Sequence, residues 1–180
     1  MEHVFWNSQC WNKMGVVDFD PKTIASHVFE LLFQWSPTVV RAAERLQHEA
    51  ELLSGDDYVS LHIRTGQLEG IPRKNSYNTA WNSYVECGRR LCADQLYLAT
   101  DDTTVKDALK DTVHTVMDLE IAHLDRNKMM DLNTFAEFYM LVQSKCVVYE
   151  DSKFSAFAAQ LAGCGVSPKH CANATRVCRP

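Results

Sequence analysis

A chain of 180 residues with a formal net charge of −5 has room for one domain with a substantial core, and two would be cramped. Its 18 lysines and arginines are scattered and form no stripe, which argues against nucleic acid as a partner, so a phosphate-bearing ligand would have to be gripped locally. No apolar run approaches the roughly 18 to 20 residues needed to cross a bilayer, and the opening Met1-Glu2-His3 does not read as a signal peptide.

The first twenty residues carry Phe5, Trp6, Trp11 and Phe19 without a period, and read as a segment that packs against something else. Asp20-Pro21 then gives an N-cap with proline at the first helical position, and Ile24, Val28, Leu31 and Leu32 supply a helical apolar face. Ser36-Pro37 repeats the signal. Val40, Ala43, Leu46, Ala50 and Leu53 follow at three- or four-residue steps, with Gly55 as the expected stop.

Beyond this helix, short apolar runs alternate with helical stretches, the sequence form of a βαβ series and hence of an α/β, Rossmann-like parallel sheet flanked by helices. Strands are expected over 58–63, 96–99, 113–117 and 146–149. Helices are expected from Tyr77 to Leu91, around Val105, Ala108 and Leu109, from an Asp131 N-cap through Phe135, Phe138 and Val142, and from Phe154 to Leu161. From Gly163 the glycine, proline, cysteine and asparagine content suggests an irregular tail, tied down by disulfides if at all. The domains are accordingly read as a packing segment over 1–35, an α/β domain over 36–162 and a tail over 163–180.

Seven cysteines, Cys10, Cys87, Cys92, Cys146, Cys164, Cys171 and Cys178, fall in no tight pair of the kind that binds zinc. Cys146 lies inside an apolar run and reads as a buried free thiol, leaving six that could pair. With the sequon Asn173-Ala174-Thr175, they lean toward an oxidising, secretory-pathway location.

The chemistry gathers where strands end, which is where open parallel sheets bind ligands. Tyr58 to Gly66 delivers His62, Arg64 and a glycine turn to one place: an arginine fork suits a diphosphate, and Gly66 lets the backbone turn or approach a ligand closely. Arg64 could equally pair with a neighbouring carboxylate. Asp101 and Asp102, after the second strand, suit ribose hydroxyls or base N–H groups, but could simply cap a helix. Ser152, Lys153, Phe154 and Ser155 open a helix, either as a phosphate cradle or as plain capping. Gly66 to Ser76 is a basic loop that could close over a ligand or merely face solvent, and Glu137 reads as a solvated residue rather than a base. His27, His48, His114, His123 and His170 show no ligand spacing.

Three ordered stretches, Val59-Ser-Leu-His-Ile-Arg-Thr-Gly66, Leu96-Tyr-Leu-Ala-Thr-Asp-Asp102 and Asp131 through Phe135-Ala-Glu-Phe-Tyr139 to Ser152-Lys-Phe-Ser-Ala-Phe-Ala158, resemble the fucosyltransferases that use GDP-fucose, in their α1,6, nodulation, plant cell-wall and protein O-fucosyl branches. The similarity spans roughly residues 36 to 162 and implies the second, nucleotide-sugar-binding Rossmann-like domain of a GT-B glycosyltransferase. By this resemblance Arg64 is catalytic, binding the diphosphate and stabilising it as it leaves. His62 and Asp101 or Asp102 would contact the guanosine; Gly66, Ser152, Phe154 and Ser155 would complete the donor site. No metal or cofactor is implied, GDP-fucose is the donor substrate, the partner is a glycan or glycoprotein acceptor, and the location is the ER or Golgi lumen. Gln67 stands where many relatives have aspartate, and the second arginine of the α1,6 branch is absent, so the branch stays open. The acceptor-side domain would have only the first 35 or so residues to represent it, which leaves a non-catalytic sugar-nucleotide-binding remnant as an alternative. A receiver-like signalling domain, using Asp101 and Asp102 as an acidic pocket, is the alternative from another class.

Overall fold

The computed structural model describes residues 34–52, 58–65, 80–91, 95–116, 132–150 and 152–173. Helix α1, Pro37–Glu49, begins as the sequence predicts: the Ser36 side chain accepts from the Thr38 amide, and Pro37 fills a position whose N–H would have no helical partner. It buries Ala42, Ala43 and Leu46. Its end differs from the expectation. Glu51 takes a left-handed conformation (φ 56°), its amide bonds back to His48 and that of Leu52 to Gln47, so the chain turns there in a Schellman arrangement. Gly55 lies outside the described residues.

Strand β1 (Tyr58–Ile63) is followed by α2 (Ala80–Arg90), β2 (Gln95–Thr100) and α3 (Thr103–Leu109). Then come α4 (Leu132–Gln143), β3 (Val147–Tyr149), α5 (Lys153–Leu161), β4 (Gly165–Val166) and a 3-10 turn over Pro168–Asn173. All four strands are parallel, in the order β2-β1-β3-β4. The fold is α/β and Rossmann-like.

The sheet edge and the C-terminal segment also differ from the sequence expectation. Among the described residues of the strand expected over 113–117, only one parallel bridge forms, between His114 and Tyr97, on the outer edge of β2, where a third strand would sit. The described part of the stretch after Gly163, as far as Asn173, is not irregular: it turns at Gly163 (φ 74°), supplies β4 beside β3, and continues into the 3-10 turn. Counting the bridge, the segments stand in the spatial order 3-2-1-4-5, the order of the dinucleotide-binding folds.

Alternation along the inner strands divides the core. Val59, Leu61, Ile63, Leu96 and Leu98 pack with Trp81, Val85 and Val105 of α2 and α3. Tyr58, Tyr97, Ala99 and Val147 pack with α1, α4 and α5 through Leu46, Ala136, Met140, Leu141 and Ala158. Helix α2 lies so close to the sheet that a Cβ on Gly88 would meet the Leu96 side chain at 2.7 Å. Two disulfides staple the C-terminal part: Cys87–Cys171 ties the 3-10 turn to α2, and Cys146–Cys164 ties the start of β3 to the approach of β4. Cys146 is therefore not the free thiol its apolar surroundings suggest. Separations of 84 and 18 residues correspond, on a chain-entropy basis, to roughly 4 to 5 and about 3 kcal/mol.

Candidate functional site

The strand order places β2 to one side of β1 and β3 to the other, so the connections diverge between β1 and β3. In open α/β sheets the crevice opens at the carboxyl ends of the strands at that point. Here His62 and Tyr149 are register partners, Arg64 and Thr65 continue from β1, and Ser152 leads from β3 into α5. The fold thus gathers residues of the first and last sequence motifs.

His62 is buried, 9% exposed, and its Nδ1 is without a hydrogen-bond partner among the described residues. Burial pushes its imidazole down to about 4, Asp101 partly offsetting the effect and Arg64 adding to it. It is therefore neutral at physiological pH and offers a hydrogen-bonding nitrogen. Its ring centroid lies 5.7 Å from that of Phe154, which meets Phe138 edge-on at 5.0 Å; Phe138 stacks on Phe157 at 5.8 Å. An aromatic series thus runs from the strand end to the exposed Phe157.

The Arg64 side chain is 30% exposed, and its Nε lies 4.0 Å from Asp101 Oδ2, the outer limit of an ion pair. The other oxygen of Asp101 ties the ends of β1 and β2 together, since Oδ1 accepts from the Thr65 amide at 2.7 Å and the Thr65 hydroxyl at 3.3 Å. Thr65 drew no attention in the sequence, where a threonine after an arginine carries no signal of its own. Asp102 is 1% exposed and caps α3, accepting from the Thr104 amide at 2.8 Å, which is the capping role weighed for it. Ser152 caps α5 by accepting from the Ser155 amide at 3.4 Å, while the fully buried Ser155 hydroxyl donates to the Ser152 carbonyl at 3.3 Å. Both hydroxyls are used within the first turn of α5, whose amide end is itself suited to an anion. Gly66 lies outside the described residues, as does the basic loop that follows it.

Glu137, read from the sequence as solvated, is half-buried. Its carboxylate turns inward and accepts from the Tyr97 hydroxyl at 3.1 Å. Burial pushes it up to about 7, with the Tyr97 hydrogen bond and the charge of Lys106 partly offsetting the effect. Lys106 is itself buried and donates to the Val116 carbonyl at 2.7 Å.

A groove of about 390 Å³ lies at the opposite, amino ends of the strands, lined by Glu49 to Glu51 and Lys110 to Thr115. His114 at its wall is fully engaged: Nδ1 donates to the Ala50 carbonyl at 3.0 Å, so Nε2 accepts from the Gln95 amide at 3.2 Å. Among the described residues no group of three or more His, Cys, Asp or Glu could hold a metal ion, and no helix is long and apolar enough to cross a membrane.

No family model, curated protein or solved structure matches this chain.

Proposed function

We propose that this chain is the donor-binding half of a fucosyltransferase, a Rossmann-like half of a GT-B enzyme that holds GDP-fucose for transfer with inversion to a glycan or glycoprotein. The observation that carries the reading is the buried His62, whose Nδ1 lacks a partner among the described residues beside Arg64, at the carboxyl end of β1 where the connections diverge. A desolvated nitrogen without a partner costs stability unless a ligand completes it. His62 is suited to the guanosine and Arg64 to the diphosphate, with the amide end of α5 beside Phe154 supporting the phosphates. As the acceptor oxygen attacks the sugar's anomeric carbon, the bond to the β-phosphate breaks and negative charge builds on departing GDP. A guanidinium held in place by Asp101 stabilises that charge where it develops. Asp101 supports Arg64 and Thr65 in this reading, and Asp102 serves the helix, which also weighs against a receiver-like acidic pocket. Two disulfides fit an oxidising compartment, and the ER or Golgi lumen is the location this activity calls for.

Titration calorimetry with GDP, ADP and UDP tests the reading. Binding of GDP at least tenfold tighter than of ADP or UDP is expected; equal affinity for all three would exclude the donor site proposed. A chain that binds GDP-fucose yet transfers nothing to any acceptor would instead be a sugar-nucleotide-binding remnant.

A further inference from the structure

We propose that Asn173 is an N-glycosylation site whose oligosaccharide stands on the face of the sheet opposite the candidate site. Of the chain's eight asparagines, only Asn173 has a hydroxyl residue two positions on, in Asn173-Ala174-Thr175, and the residue between them is not proline. Asn7, Asn75, Asn78, Asn82 and Asn133 have theirs at the next position, where it does not make the acceptor sequence.

The fold delivers this asparagine to a place that can carry a large polar group. Strand β4 is the edge of the sheet, and the 3-10 turn that follows it ends at Asn173. Lys169 and His170 in that turn are exposed, whereas Cys171 is buried and bonded to Cys87 of α2. A 3-10 turn repeats every three residues, so position 173 falls in line with His170 and off the side on which Cys171 enters the core. Asn173 is thus held two residues from a covalent anchor, at the end of the last described element.

The disulfides supply the second condition. N-glycans are added in the same oxidising lumen in which disulfides form, so the site rests on the compartment that Cys87–Cys171 and Cys146–Cys164 fit, and not on the donor reading. In the reaction the side-chain amide nitrogen of Asn173 bonds to the anomeric carbon of an oligosaccharide carried on a lipid diphosphate. The bond from that carbon to the phosphate oxygen breaks, the lipid diphosphate leaves with the electron pair, and the amide nitrogen gives up one proton. The co-reactant is this lipid-linked oligosaccharide, and the catalyst is a transferase of the lumen.

The two halves of the core fix the side on which the sugar stands. Cys171 and Cys87 belong to the half that α2 and α3 form with Val59, Leu61 and Ile63. Phe154 packs in the other half, with α1 and α4, and the ring of His62 meets it there. The sheet therefore lies between the turn that bears the glycan and the aromatic series of the candidate site.

The test directs the full chain into the secretory pathway of animal cells behind an added cleavable leader, alongside Asn173→Gln, Thr175→Ala and Thr175→Ser. The wild type and Thr175→Ser are expected to gain a mass that peptide-N-glycosidase removes, turning the amide at position 173 into a carboxylate that peptide mass spectrometry locates. Asn173→Gln and Thr175→Ala are expected to lose that gain completely. Cell-retained and secreted protein are both read, because the sugar is attached before folding is complete, so a variant that fails to fold still reports. A wild-type chain that has lost its leader, and so has entered the lumen, with Asn173 bare overturns the site; so does a gain in mass that survives in Thr175→Ala. The side of the sheet is read by hydrogen exchange before and after enzymatic removal of the glycan. Exchange across α5, Lys153–Leu161, is expected to be the same in both forms, and a change there overturns the placement on the opposite face.

Discussion

The two ends of the parallel strands use the same kinds of residue to opposite effect. At the amino ends, His114 and Gln95 saturate each other and the carbonyls of Ala50 and Glu51, around a groove of about 390 Å³. At the carboxyl ends, His62 is more deeply buried, its Nδ1 has no partner among the described residues, and the nearby cation is held at 4.0 Å. Space alone is thus a poor guide to function in this molecule. A hydrogen-bonding group kept desolvated and unsatisfied costs the fold free energy, and a ligand is the simplest way to offset that cost.

Substitutions at the two ends should separate binding from stability. Arg64→Ala should weaken GDP binding by roughly 1.5 to 3 kcal/mol, the range for a hydrogen bond to a charged group, with little change in the unfolding midpoint; calorimetry on folded protein reads it. If affinity is unchanged, the carboxyl end loses its special status. His114→Ala should do the reverse. Losing its two hydrogen bonds, to the Ala50 carbonyl and to the Gln95 side chain, should cost about 1 to 3 kcal/mol in chemical denaturation while leaving GDP affinity per folded molecule intact.

A smaller effect should appear in acid. His62 has a folded value of about 4 against an ordinary 6.5, so the unfolded chain takes up the proton first, and stability is lost as pH falls between those values. The contribution is at most about 1.4 kcal/mol per pH unit, and His62→Asn should flatten the denaturation profile across that window. Smallest of all, Glu51→Gly should stabilise the amino end by up to about 1 kcal/mol, because glycine takes the left-handed conformation at φ 56° without a Cβ clash. A loss of stability there would mean that the glutamate side chain itself supports the corner.

The legible parts of this chain were those with a local cause. Ser36-Pro37 set the start of α1, the Tyr58, Val59, Leu61 and Ile63 run marked a buried strand, and Ser152 and Asp102 were readable as helix caps, because each depends on a few neighbouring residues. The His62 and Arg64 pairing at a strand end was equally visible. What escaped was decided by partners distant in sequence. Cys146 looked like a core hydrophobe because its neighbours are apolar, yet Cys164 reaches it by way of α5. Glu137 looked solvated because it stands on an amphipathic helix, and only Tyr97, forty residues earlier in the chain, draws its carboxylate inside. The two-residue β4 gave no period to detect and exists because β3 offers it an edge.

Local chemistry thus set the alternation of strands and helices and the residues that stand at each strand's end, since periodicity, capping and proline act over a few positions of the sequence. Tertiary structure alone decided that β1 and β3 lie side by side with β2 on the far flank, that Asp101 is engaged by Thr65 and Arg64, and that the half-buried Glu137 carboxylate accepts from a buried tyrosine. Those outcomes depend on which surfaces meet across long stretches of chain, where desolvation and packing outweigh any local preference.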